Sequence, residues 1–158
     1  MVILFVQYLI IFLISMVPLI ELRGAIPYAI GFKLPLLPSY IICILGNMLP
    51  VPFIFLFARK ILVWGSDKKY IGGFFNWCLK KGEKGGKKLQ EKAGRGLYVA
   101  LFLFVGIPLP GTGAWTGTLA ASLLDMDFKK STLAVMCGVV LAGIIMGLVS
   151  GGVFSFIR

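Results

Sequence analysis

Two short stretches of this chain hold most of the residue types that could do chemistry. The first spans residues 17–27 and contains Pro18, Glu21, Arg23, Gly24 and Pro27. Glu21 and Arg23 are the only charged side chains before Lys33. A carboxylate in apolar surroundings is a candidate proton carrier, and a guanidinium offers a planar fork that grips an anion through two bonds. Positions i and i+2 do not face each other on a helix, so the two need not pair with one another. The second stretch, residues 106–117, contains Pro108, Pro110, Gly111, Thr112, Gly113, Trp115 and Thr116. Backbone amides around Gly111 and Gly113, and the Thr112 and Thr116 hydroxyls, precede or open a helix expected near Ala114. The N-terminal end of such a helix attracts anions. Gly111, Thr112 and Gly113 resemble a nucleotide-binding loop only superficially: no strand precedes them and the third glycine is missing. Asn47, between Gly46 and Pro50, is a candidate for lining a cavity or for a hydrogen bond that stabilises a kink.

The elements that must position these residues are membrane elements. The chain has 158 residues, of which 59% are hydrophobic and 14% charged, against about 45–50% and about 25% in a globular protein. Mean hydropathy is +0.97. Charge is absent from residues 1–20, 34–58, 96–124 and 131–157, and each run is long enough to enter a bilayer. The first basic residue is Arg23, so the N-terminus is not expected to be a cleaved signal. Histidine is absent, which removes the commonest general base and metal ligand. The three cysteines, Cys43, Cys78 and Cys137, are scattered and read as reduced packing residues. No catalytic residue, metal site or cofactor is expected.

The formal net charge is +10, concentrated in one connection. Between Arg59 and Arg95 lie Lys60, Lys68, Lys69, Lys80, Lys81, Lys84, Lys87, Lys88 and Lys92, opposed by Asp67, Glu83 and Glu91. The positive-inside rule puts this connection in the cytoplasm, and its tether between membrane segments argues against nucleic acid as its partner. Ile71, Phe74, Phe75, Cys78, Gly82, Gly85, Leu89 and Ala93 fall on one helical face with lysines opposite. That pattern suits a helix lying on the membrane with Trp77 at headgroup level, or else a solvated loop.

Lipid offers no partner for broken backbone hydrogen bonds, so a spanning helix should be continuous. The Pro- and Gly-containing turns at 18–24 and 108–113 interrupt two of the apolar runs. Residues 97–107 make about 16 Å of helix, roughly half a bilayer. Each interrupted run is therefore expected to enter, turn near the midplane and return to the same side. Two kinked full-span helices are the alternative. Each hairpin is followed by a short polar loop and one long helix, at 40–63 and 132–157, with an offset of about ninety residues. The fold class expected is an all-α integral membrane protein. It is an inverted repeat of re-entrant hairpin plus transmembrane helix, in a single domain over 1–158. The first repeat is 1–63, the basic cytoplasmic amphipathic connection 64–96 and the second repeat 97–158. Discontinuous elements facing each other in this way mark transporter sites. Small-residue stripes in the last helix, Gly143, Gly147 and Gly151 and also Ala134, Gly138 and Ala142, favour close helix contacts and a homodimer. Asp125 and Asp127 read as a polar surface loop in preference to a cation site.

The segments 18–27 and 107–117 resemble the two signature stretches of the prokaryotic "putative small multidrug export protein" family, a likeness that covers nearly the whole chain. That family is similar to the wider DedA group. The resemblance implies the prokaryotic inner membrane, paired re-entrant hairpins, proton-linked transport and, in some members, flipping of undecaprenyl phosphate. DedA proteins typically carry Pro-Gly-x-Arg in the second hairpin, whereas Pro110-Gly111-Thr112-Gly113 has no arginine. The leading functional expectation is a small secondary transporter, such as a proton-coupled flippase of an anionic lipid. Arg23, Gly111, Thr112, Gly113, Trp115 and Thr116 would bind substrate, Glu21 would couple protons and Asn47 would line the cavity. A multidrug/proton antiporter for lipophilic cations and a non-transporting membrane scaffold are the alternatives.

Overall fold

The computed structural model describes residues 2–18, 20–77, 80, 94, 96–109 and 111–156. Among the described residues, seven long helices carry the fold: α1 (Val2–Met16), α2 (Glu21–Gly31), α3 (Leu36–Met48), α4 (Pro50–Ser66), α5 (Gly96–Gly106), α6 (Ala114–Leu123) and α7 (Phe128–Phe156). No strand occurs among the described residues.

Helices α3 and α4 form one apolar rod, Leu36–Ser66, of 31 residues. Leu49 keeps helical angles at the join (φ −59°, ψ −42°). The rod begins earlier than the expected residue 40. Pro35 is extended before it (φ −55°, ψ 130°), and Pro38 falls in the first turn, where a helix has no use for its missing N–H. Helix α7 also begins early, because Asp127 Oδ1 caps it by accepting the Lys130 amide at 2.9 Å. Its apolar part, Phe128–Gly152, has 25 residues. Both rods exceed the roughly 20 residues needed to cross a bilayer.

The two return helices close alike. After α2, Leu34 N donates to Ala29 O (3.0 Å) and Lys33 N to Ile30 O (2.9 Å). After α6, Met126 N donates to Ala121 O (3.0 Å) and Asp125 N to Ser122 O (3.2 Å). Lys33 and Asp125 take the left-handed conformation (φ 57° and 55°), and Leu34 and Met126 are buried beneath them. This is Schellman-type closure, which satisfies carbonyls the helix end leaves open. One glycine in each long rod admits the helix that packs on it. A β-carbon on Gly46 would lie 2.6 Å from Phe12 O in α1, and one on Gly138 would lie 2.8 Å from Phe102 O in α5.

Side-chain contacts show which ends lie together. Arg59 in the second half of α4 pairs with Asp125, and Ser122 Oγ donates to Phe55 O at 2.8 Å. Asp127 N donates to the Tyr98 hydroxyl at 3.4 Å, and the Lys130 ammonium lies 5.8 Å from the Tyr98 ring centre. The middle of α4, the start of α5, the end of α6 and the start of α7 thus gather together. At the other end, the Tyr40 hydroxyl at the start of α3 donates to Gly143 O late in α7.

Ile11, Leu22, Ile26, Cys43, Val105, Val135 and Val139 form the buried centre. The outside is also apolar: Leu37 is 73% exposed, Phe53 60% and Leu148 73%. A surface like this suits hydrocarbon as its surroundings rather than water. Both small-residue stripes of α7 are used within the chain, Gly138 against α5 and Gly143 and Gly147 against Tyr40. Cys43 is buried and free, and Cys137 is exposed and free. In the basic connection, residues 72–77 are helical and the Phe74 and Trp77 rings stack at 6.3 Å. The rest of the amphipathic stripe, Cys78 and 81–93, lies outside the described residues.

Candidate functional site

The turn after α1 and the turn before α6 meet, and each supplies what the other lacks. Helix α6 starts with orphan N–H groups, as every helix does. The Glu21 carboxylate takes two of them: Ala114 N donates to Oε2 at 3.1 Å and Trp115 N to Oε1 at 3.0 Å. Glu21 is only 4% exposed. Its charge is therefore held by two charge-assisted hydrogen bonds at the positive end of a helix dipole, with little water present.

Two backbone features permit this seat. Glu21 has φ 51°, a left-handed conformation uncommon for a residue with a side chain and costing about 1–3 kcal/mol. Gly113 has φ 149°, and a β-carbon there would lie 2.7 Å from Glu21 Cδ. The glycine leaves open the space the carboxylate fills.

Arg23 reaches the same turn one step further back. Its Nη1 donates to Leu109 O and its Nη2 donates to Thr112 Oγ1 at 2.8 Å. Thr112 Oγ1 also lies 3.0 Å from Ile107 O and 2.9 Å from Leu109 O, so its own proton stays within the turn. Arg23 Nε is buried with no hydrogen-bond partner among the described residues. The Trp115 indole Nε1 donates to Met16 O at 3.1 Å, closing the last turn of α1. Glu21 and Arg23 act on different parts of the opposing turn, as their spacing along the chain requires.

The structure thus brings together Glu21, Arg23, Thr112, Gly113 and Trp115. Gly111 takes φ 81° and shapes the turn, and its position is exposed. Thr116 Oγ1 points back to Gly113 O at 3.4 Å and lines the adjoining cavity. Asn47 is buried in α3, and its Oδ1 has no hydrogen-bond partner among the described residues. The Met16 and Leu109 carbonyls were not foreseen. Every residue carries a carbonyl, so residue type held no signal for these two. Arg59 and Asp125 could have been suspected as a pair from opposite charge at the two ends of apolar runs.

A cavity of about 560 Å³ opens between α4 and α6 beside the joined turns. Pro18, Ile54, Phe57, Ile61, Trp115 and Leu119 supply most of its wall. It could hold a lipophilic molecule, and Trp115, whose amide donates to Glu21, is part of its lining.

Two helices long and apolar enough to cross a membrane, an apolar exterior and the buried Glu21 carboxylate mark the class as a helical membrane protein. Residues 21–145 match the family described as "Putative small multi-drug export protein", and the chain belongs to that family. The match begins at Glu21 and takes in the whole turn before α6. No curated protein and no solved structure matches the chain.

Proposed function

We propose that this protein is a small secondary exporter of lipophilic molecules, in which the contact between Glu21 and the start of α6 is the gate. The buried Glu21 carboxylate on the amides of Ala114 and Trp115 carries this reading. Ionised, it holds the two turns together. Protonated, it keeps at most one good acceptor and loses the charge that the helix end stabilises. The turns then loosen beside the cavity, whose apolar wall matches the export of lipophilic compounds that the family name denotes.

The architecture supporting this is an inverted repeat of re-entrant hairpins. The paired closures at Leu34 and Met126, the paired glycines Gly46 and Gly138, and the buried serines Ser39 and Ser131 recur at similar separations in the two halves. Tyr98 meeting Asp127 supports a second hairpin that returns to its side of entry. Single cysteines replacing Lys33 and Lys60 should label from opposite faces of the membrane, with Asp127→Cys labelling from the Lys60 side. Labelling of positions 33 and 60 from one face would remove the inverted arrangement.

The functional test is efflux of a fluorescent lipophilic cation from proteoliposomes under an imposed pH gradient. Wild-type protein should accelerate it, and Glu21→Gln should fall to the protein-free level while staying folded. Undiminished gradient-driven efflux by Glu21→Gln would end the gating role. A second reading is favoured by Arg23 standing beside an N-terminal helix end. An anionic lipid head, such as a polyprenyl phosphate, would displace the Glu21 carboxylate and take its place. Movement of that lipid, lost in Arg23→Ala, with no cation efflux would select it.

A further inference from the structure

A second cavity, of about 510 Å³, lies where α4 leaves its charge-free run, and Phe55, Leu56, Arg59, Lys60, Trp64 and Asp125 are among its walls. None of the residues of the joined turns lines it. From Leu36 to Ala58 the rod carries no charge, a length of roughly 34 Å at about 1.5 Å per residue. That is enough to cross the hydrocarbon of a bilayer, so Arg59 and Lys60 emerge at headgroup level.

The lining changes character along this direction. Phe55 and Leu56 make the deeper wall, and Leu56 is exposed to the surroundings, whereas Val63 lies one turn beyond the charged pair. Arg59 and Lys60 stand at the rim, with Asp125 as the one carboxylate among the lining residues. Asp125 is paired with Arg59, which holds the guanidinium at the mouth of the groove and leaves the lining with a net positive charge. Just beyond, the Lys68 ammonium sits 4.4 Å from the Trp64 ring centre. Trp64, 62% exposed, has the amphipathic ring that favours the membrane–water interface. The same end of the molecule carries Lys129 and Lys130 against Asp127.

An apolar trough that ends in fixed cations at headgroup depth matches an amphiphile with an anionic head. We propose that this groove binds an anionic phospholipid, with the phosphate at Lys60 and Arg59 and an acyl chain along Phe55 and Leu56. A soluble phosphate would use only the rim and leave the apolar wall uncovered. Bound lipid bridges α4 and the loop between α6 and α7, the elements that the Arg59–Asp125 pair also joins. The inference does not depend on the transport reading, since no residue of the proposed gate is involved.

The test is native mass spectrometry of the full-length protein in neutral detergent, with phosphatidylglycerol and phosphatidylcholine of matched acyl chains. Wild-type protein should retain phosphatidylglycerol preferentially. Each cation removed from the rim should cost about fivefold in that preference, so Lys60→Gln weakens it and Arg59→Gln with Lys60→Gln abolishes it. Lys129→Gln, at the same end but outside the groove, should leave it unchanged. Lys60→Gln keeps the Arg59–Asp125 pair, so it decides the matter even where the double variant fails to fold. Equal retention of the two lipids by wild-type protein would overturn the proposal. So would a preference undiminished in Lys60→Gln, or an equal loss in Lys129→Gln. Displacement of the lipid by inorganic phosphate would turn the groove into a phosphate site and overturn it as well.

Discussion

Gly113→Ala should separate the two turns and be among the most damaging single substitutions in this protein. The new methyl carbon would lie 2.7 Å from Glu21 Cδ, and the φ of 149° there is one that alanine rarely adopts. Expelling the carboxylate leaves two amides of α6 and one charge without partners, a loss of about 3–5 kcal/mol for a broken buried ionic contact. Unfolding in detergent, followed by loss of helical signal, measures it. The sharper check is a double-mutant cycle with Glu21→Ala. Once the carboxylate is gone the methyl group has space, so Gly113→Ala should cost much less in that background, leaving mainly its backbone strain. Strictly additive losses would mean that the seat of Glu21 is not what Gly113 protects.

The second large effect is expected at the paired glycines of the long rods. A β-carbon on Gly46 would lie 2.6 Å from Phe12 O, and one on Gly138 would lie 2.7 Å from Val105 Cβ and 2.8 Å from Phe102 O. Backbone carbonyls inside helices cannot swing aside as a long side chain can. Gly46→Ala and Gly138→Ala should therefore force α1 and α5, respectively, away from the rods and each destabilise by about 1–3 kcal/mol. Leucine at either position should prevent assembly. Gly31→Ala is the control, because a β-carbon there meets nothing within 4 Å, and it should stay within about 0.5 kcal/mol of wild type. Thermal unfolding of the three alanine variants in one detergent separates these outcomes. Equal behaviour of Gly31→Ala and Gly138→Ala would show that close helix approach is not the reason for glycine in α7.

The chain's chemistry along its length was readable without coordinates. Apolar runs without charge dictated helices, because only a helix satisfies its own backbone inside hydrocarbon. Pro108, Gly111 and Gly113 broke one run where α5 and α6 are in fact separate, and Pro18 marked the other break. The isolation of Glu21 and Arg23 in apolar sequence singled them out, since charge at such depth needs a partner. What residue order could not supply was the identity of those partners. Glu21 is held by the amides of Ala114 and Trp115, and Arg23 by Leu109 O and the Thr112 hydroxyl. Amides and carbonyls are the same at every position, so only folding chooses which of them a distant side chain meets. The expectation that Arg23 and the helix end would together face a substrate anion came from residue type alone. The tertiary structure brings both to one place and puts the carboxylate of Glu21 on the helix end. The small residues of α7 behave likewise. Their spacing announced close contact, but Tyr40 and α5 as the surfaces they receive followed from how the rods and hairpins pack. Pattern along the chain sets what each segment can tolerate, and contacts between distant segments are set by three-dimensional fit, which has no period in the sequence.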